Sequence, residues 1–248
     1  MTPSQTLIFP DYESLSRAAA LYFAQAAKEA ISARGRFLVA LCGGETPLRL
    51  YETLGLSPYR DYLPWEHIHF FWGDERCVLV NDLESNFGQA WQHWLKHIAI
   101  PASNLHRIQG ELVPEQASEA YQQELKGFAE AEQDWPRLDW VLLGLGTDGH
   151  TASLFPGSAP DPGPNLAVLA VQNQSQNRLA NRVTLTPMLF NLARQVVFLV
   201  SGSGKAAALA ATRTGKTDPL CWPAQRIHPQ DGLLVWMLDE AAALEALT

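Results

Sequence analysis

Asp148 and His150, two residues apart in "GLGTDGH" (144–150), pair a carboxylate with an imidazole. Those are side-chain types that acid–base chemistry near neutral pH draws on most often. The same stretch is a literal G-x-G-x-x-G, with Gly144, Gly146 and Gly149 directly after the apolar run "LDWVLL" (138–143). A dinucleotide fingerprint needs more than glycines. A helix must open inside the turn to hold the pyrophosphate, and an acid about twenty residues on must bind the ribose. Here "HTASLFPG" runs into Pro156-Gly157, which leaves little more than two turns of helix. The chain near position 169 reads "AVLAV", and the nearest acid, Asp161, lies in a proline-rich loop. The context fails. Asp148 could serve the turn by local hydrogen bonding or serve a site. His150 has no turn role and is better placed for chemistry than for packing.

Positive groups gather at comparable glycine turns. Gly43-Gly44, just before a helix expected to open near Thr46-Pro47, can offer backbone N–H groups to an anion. Lys205 follows Gly202-x-Gly204, although this is not a P-loop, which spaces its glycines by four residues. Arg76 closes the "GDER" turn and Arg182 begins a strand-like run. Singly, each cation reads as a solvated surface charge. As a set they would suit a phosphorylated substrate. Asp74 and Glu75 could act on substrate, hold the turn, or pair with Arg76. Glu45 puts a carboxylate beside the Gly43-Gly44 turn.

Other reactive types carry less. His93 and His97 stand i,i+4, but Trp94 replaces the glutamate of a zincin, so a helix face accounts for them and no metal site is expected. His67 and His69 share one side of an aromatic strand and read as packed or edge residues. Ser153 lacks a nucleophile elbow.

The elements that must position these residues follow from hydrophobic spacing. Helices are expected over 14–34, 84–98, 114–131, 186–194, 203–213 and 239–247. Continuous apolar runs at 36–42, 67–72 and 138–146 read as strands covered on both faces, and further strands at 166–171, 182–185, 195–201 and 232–237. Strand–helix alternation at this spacing predicts βαβ units in an α/β fold: three layers, α/β/α and Rossmann-like, with a mainly parallel sheet. Sites in such folds form where strands end, which selects the turns at 43–47, 73–76, 144–150 and 202–205. Residues 1–248 read as one domain.

Composition bounds the function. Apolar residues make up 47% of the 248 and charged residues 18%, enough for a large core. A net charge of −8 argues against nucleic-acid binding. Three scattered cysteines suggest neither disulfides nor a zinc site. The apolar runs fall far short of a membrane span and the N-terminus lacks a signal-peptide pattern, so a cytoplasmic protein is expected.

Four segments in order, "LCGGETPLRLYETL" (41–54), "GDERCV" with "SNFG" (73–78 and 85–88), "GLGTDGHTASLFPG" (144–157) and "RVTLTPMLFNLARQVVFLVSGSGKAAAL" (182–209), resemble the 6-phosphogluconolactonase family. The resemblance implies hydrolysis of a sugar-phosphate lactone, 6-phospho-D-glucono-1,5-lactone, to 6-phosphogluconate in the oxidative pentose phosphate pathway. It also implies no metal or organic cofactor, and a fold shared with glucosamine-6-phosphate deaminases and ribose-5-phosphate isomerases. The catalytic residues would be His150 as base, Asp148 as its orienting partner, and Arg76 facing the developing oxyanion. Gly43, Gly44, Thr46, Asp74, Glu75, Arg182 and Lys205 would bind substrate. The expected assembly is a monomer or small homo-oligomer. The rivals are a sugar-phosphate deaminase or isomerase and a non-catalytic sugar-phosphate binder. The deaminases resemble G-x-G-x-D-G-H followed by N-E-P, whereas this chain continues Ser153-Leu154-Phe155-Pro156.

Overall fold

The computed structural model describes residues 3–158, 163, 165–172 and 181–244. The chain opens with β1 (Ser4–Phe9) and α1 (Tyr12–Arg34). Leu15, Ala19, Phe23, Ala27 and Ala30 are buried along one stripe of α1, at the three-to-four-residue spacing of a helix face. Asp11 caps the helix by accepting from Ser14 N at 2.7 Å, and Gly35 closes it. Next come β2 (Phe37–Leu41), α2 (Leu48–Leu54), α3 (Tyr59–Tyr62), β3 (Ile68–Trp72) and the three-residue β4 (Asp74–Arg76).

The middle of the chain supplies α4 (Asn86–His93), α5 (Pro114–Lys126), β5 (Trp140–Leu143) and β6 (Val168–Val171). The last part supplies β7 (Arg182–Leu185), α6 (Pro187–Leu192), β8 (Gln195–Val200), α7 (Ala206–Arg213), β9 (Leu233–Asp239) and α8 (Glu240–Ala243).

Six strands form one sheet in the order β1-β9-β8-β5-β2-β3, and every pairing in it is parallel. Helices cover both faces, which makes the expected α/β/α layering and buries every residue of β2 and β5. One contiguous cluster of buried apolar residues runs from Leu15 to Ala243.

Two expectations need correction. The runs at 166–171 and 182–185 do not join the parallel sheet; β7 pairs antiparallel with both β4 and β6 in a separate three-stranded sheet. The helix expected at 84–98 breaks at Trp94 (φ −144°) into a short 3-10 turn, Leu95–His97. Buried Trp94 packs edge-on against Phe23, Trp65 and Phe70, and that packing outweighs helix continuation.

Because the large sheet is parallel, the turns after β2, β3, β5 and β8 all lie along the edge where these strands end. From β2 the chain moves outward to β3, and from β5 outward to β8 on the other side. The crevice between β2 and β5 is therefore the topological switch point, where ligands of open α/β sheets bind.

Candidate active site

The 144–158 segment leaves the end of β5 as a series of turns with no helix, which removes the structural basis of a dinucleotide fingerprint. Asp161 lies outside the described residues. The segment is knotted to itself: Gly146 N donates to His150 O at 2.7 Å, Gly149 N to Gly146 O at 3.0 Å, and Thr151 Oγ1 to Gly144 O at 2.8 Å. These bonds bring His150 Nδ1 to 2.5 Å from Asp148 Oδ1. A carboxylate accepts there, so the ring proton sits on Nδ1 and the lone pair on Nε2. The His150 side chain is 33% exposed, enough for the ring to meet a ligand. Gly146 makes the pair possible. A Cβ at that position would stand 2.0 Å from His150 Nδ1 and 2.6 Å from Asp148 Oδ1.

Phe155 carries the site outward. Its ring centroid is 5.1 Å from that of His150, and the Arg182 guanidinium lies 5.6 Å from it on the cation–π pattern. Arg182 begins β7, where its register partner across the antiparallel ladder is Arg76 of β4. Like charges directly opposite one another in a sheet destabilise it, and here Asp74 Oδ2 lies 4.0 Å from Arg182 Nη1. The Arg76 Nη1 donates to the Glu84 carbonyl at 2.5 Å, while its Nε is buried without an acceptor.

Asp74 and Glu75 have structural work. Asp74 is buried, accepting from Asn86 Nδ2 at 3.0 Å and Ser153 Oγ at 2.6 Å, with Arg182 Nη1 at 4.0 Å. It ties α4, the 144–158 turns and β7 together. Glu75 is 2% exposed and accepts from the backbone N–H groups of Arg76, Asn86 and Phe87 at 2.7–2.8 Å, and from Ser85 Oγ at 3.1 Å. Its carboxylate seals the N-terminus of α4. Burial pushes Glu75 up to about 7, while the three N–H donors pull the other way. Both carboxylates expected at the substrate are thus buried, with their oxygens engaged within the protein.

The glycine turns divide in the same way. Gly43 gives room to Asn86, whose Oδ1 would lie 1.8 Å from a Cβ there. Gly44 N is already donating to Gln89 Oε1 at 3.2 Å, and Gly202 N to Asp239 at 3.0 Å, so these two N–H groups are engaged within the protein. Thr46 offers its carbonyl to Tyr12 Oη at 3.0 Å. Lys205 ends a 3-10 turn, Ser203–Lys205, immediately before α7, and has no ion-pair partner among the described residues. Asn86, Ser153, Ser85 and Phe155 were missed as site residues by sequence reasoning. Local sequence carried no signal for them, because the bonds of Ser85, Asn86 and Ser153 reach 10 to 79 positions along the chain.

The chain is similar over most of its length to known proteins. A cyanobacterial 6-phosphogluconolactonase from Synechocystis is 43% identical over 216 residues, which cover 86% of each chain. The 6-phosphogluconolactonase of Aggregatibacter actinomycetemcomitans is 38% identical over 205 residues, 83% of this chain and 85% of its own. The solved structure of 6-phosphogluconolactonase from Trypanosoma brucei superposes with a TM-score of 0.85 at 25% identity, covering 98% of this chain and 99% of that one. The sequence model described as glucosamine-6-phosphate isomerases/6-phosphogluconolactonase matches residues 10–236, and the chain belongs to that family.

Proposed function

We propose that this chain hydrolyses 6-phospho-D-glucono-1,5-lactone to 6-phosphogluconate in the oxidative pentose phosphate pathway, as a cytoplasmic enzyme with residues 1–248 acting as one domain. The observation that carries the reading is the Asp148–His150 pair beside two register-paired arginines at the sheet's switch point. Asp148 accepts the Nδ1 proton, which leaves Nε2 to take a proton from water as that water attacks the lactone carbonyl. A general base of this kind contributes roughly 10²–10⁴ in rate. Positive charge from Arg76 and Arg182 receives the phosphate and the oxyanion. When the tetrahedral centre collapses, the ring C–O bond breaks. His150 returns its proton to the leaving ring oxygen, and the new carboxylic acid ionises.

Deamination of an aminosugar phosphate, the rival reaction, needs an acid–base group in the segment after His150. This chain has Ser153-Leu154-Phe155-Pro156 there, and Ser153 Oγ is committed to Asp74 at 2.6 Å. The test is proton release in a pH-stat from freshly generated lactone, corrected for spontaneous opening. Enzyme-dependent release well above the spontaneous rate is expected. Release at the spontaneous rate, with ammonia produced from glucosamine 6-phosphate instead, would overturn the reading.

A further inference from the structure

The opposite end of the same two central strands carries a second concentration of positive charge. Arg36 stands immediately before β2 and Asp139 immediately before β5. There, Arg34, Arg36, Arg137, Phe128, Glu130 and Asp139 line a cavity of about 490 Å³. Cavities of roughly 300–1,000 Å³ hold small metabolites. With five residues in β2, this pole lies about 15 Å across the sheet from the Asp148–His150 crevice.

The charges there do not balance. Asp139 is buried and clamped: its Oδ2 accepts from Leu38 N at 2.8 Å, while Oδ1 meets Arg34 Nη2 at 2.7 Å and Arg194 Nε at 3.2 Å. Glu130, half exposed, pairs with Arg194 at 3.2 Å. Among the described residues, the hydrogen bonds of Arg36 and Arg137 go only to carbonyls. Arg36 donates to Phe128 O at 3.3 Å and lies over the Phe128 ring at 5.8 Å. Arg137 donates to Leu192 O at 3.1 Å and Asp231 O at 2.7 Å. Carbonyls satisfy hydrogen bonds without neutralising charge. Arg34, together with Arg194 behind the lining, is balanced by Asp139 and Glu130, so Arg36 and Arg137 leave two positive charges in a half-buried cavity of a protein whose net charge is −8.

We propose that this cavity is a second ligand site, built for a phosphate monoester. A phosphate dianion matches the charge excess, and planar guanidinium forks suit its oxygens better than any other basic side chain. The Phe128 face supplies an apolar wall for the body of the ester. The site is independent of the lactone chemistry and stands whether or not that reading holds.

The test is an amide-resolved NMR titration of ¹⁵N-labelled protein with phenyl phosphate and, separately, with inorganic phosphate. Saturable shifts of the Arg36, Leu38, Phe128 and Asp139 amides are expected. Affinity read at those amides should fall at least tenfold in Arg36→Gln and further in Arg36→Gln/Arg137→Gln, with the shifts at 144–150 unchanged. Glu130→Gln, which removes a competing carboxylate, should tighten binding a few-fold, an outcome that damaged folding cannot mimic. Tighter binding of phenyl phosphate assigns the site to an organic ester as proposed. Equal or tighter binding of inorganic phosphate would overturn the ester assignment. Absence of saturable shifts at this pole, or shifts that survive the double substitution unchanged, would overturn the site itself.

Discussion

At the scale of single residues, the site depends on a missing side chain. Gly146 leaves the space into which His150 folds back on Asp148, and a methyl group there would stand 2.0 Å from the ring nitrogen. The ring is one-third exposed and can swing away, so Gly146→Ala should cost little stability, less than about 2 kcal/mol by denaturant titration. Its kcat should nevertheless fall by about 10² or more, because an ångström of misplacement is that expensive for a positioned base. Asp148→Asn keeps the shape but lets an amide compete for the Nδ1 tautomer. A fall of at least about 10² in kcat with KM little changed is expected from steady-state kinetics. His150 stands out in the sequence because no turn needs a histidine, whereas Asp148 reads equally as a turn residue. Their 2.5 Å contact is what sequence could not supply. Asp74 and Glu75 looked like substrate ligands because sequence gives residue type and not burial; both proved to be buried acceptors serving α4 and the turn beside it.

Elements explain how charge reaches the crevice. The short β4–β7 ladder sets Arg76 opposite Arg182, and α4 holds that ladder in place through Glu75. Glu75→Ala would strand three buried N–H groups, for an expected loss of about 2–4 kcal/mol in chemical denaturation. Arg76→Gln should raise KM roughly 10- to 100-fold with a smaller change in kcat, the share of a charge-assisted contact of ~1.5–3 kcal/mol. On β3, His69 Nδ1 lies 3.1 Å from His106 Nε2, and His106 Nδ1 lies 2.7 Å from Glu124. Burial, then the charges of His106 and Arg36, push His69 down from 6.5 to about 4. A depressed value means the folded state resists the proton, so this contribution is present above pH 6.5 and lost as pH falls through 4. Denaturant midpoints measured across that range should fall with acid, and His69→Phe should flatten the slope. Strand β4 escaped the sequence because three polar residues have no periodicity to read. β1 escaped because it is a half-exposed edge strand whose apolar run, Leu7-Ile8-Phe9, is only three residues long.

For the molecule as a whole, the runs "RFLVALC", "HIHFFW" and "LDWVLLGLG" gave away a parallel sheet, since only strands covered on both faces are so uniformly apolar. What they could not give was strand order, which long-range packing sets. That order places the switch point between β2 and β5, two strands in from the β3 edge, with the dyad at one end and the arginine-lined cavity at the other. An acidic chain thus keeps its local excesses of positive charge at two poles, each where a substrate or ligand anion would need it.

The central claim is that His150, oriented by Asp148, draws the proton from the attacking water. It is tested most directly by timing the hydrolysis of freshly generated 6-phosphogluconolactone by the native protein and by His150→Ala side by side, with circular dichroism to verify the fold. A fall in kcat of about 10²–10⁴ in the folded variant, towards the spontaneous rate, is the predicted result. Equal rates for the two proteins would contradict the assignment and remove the base from this dyad.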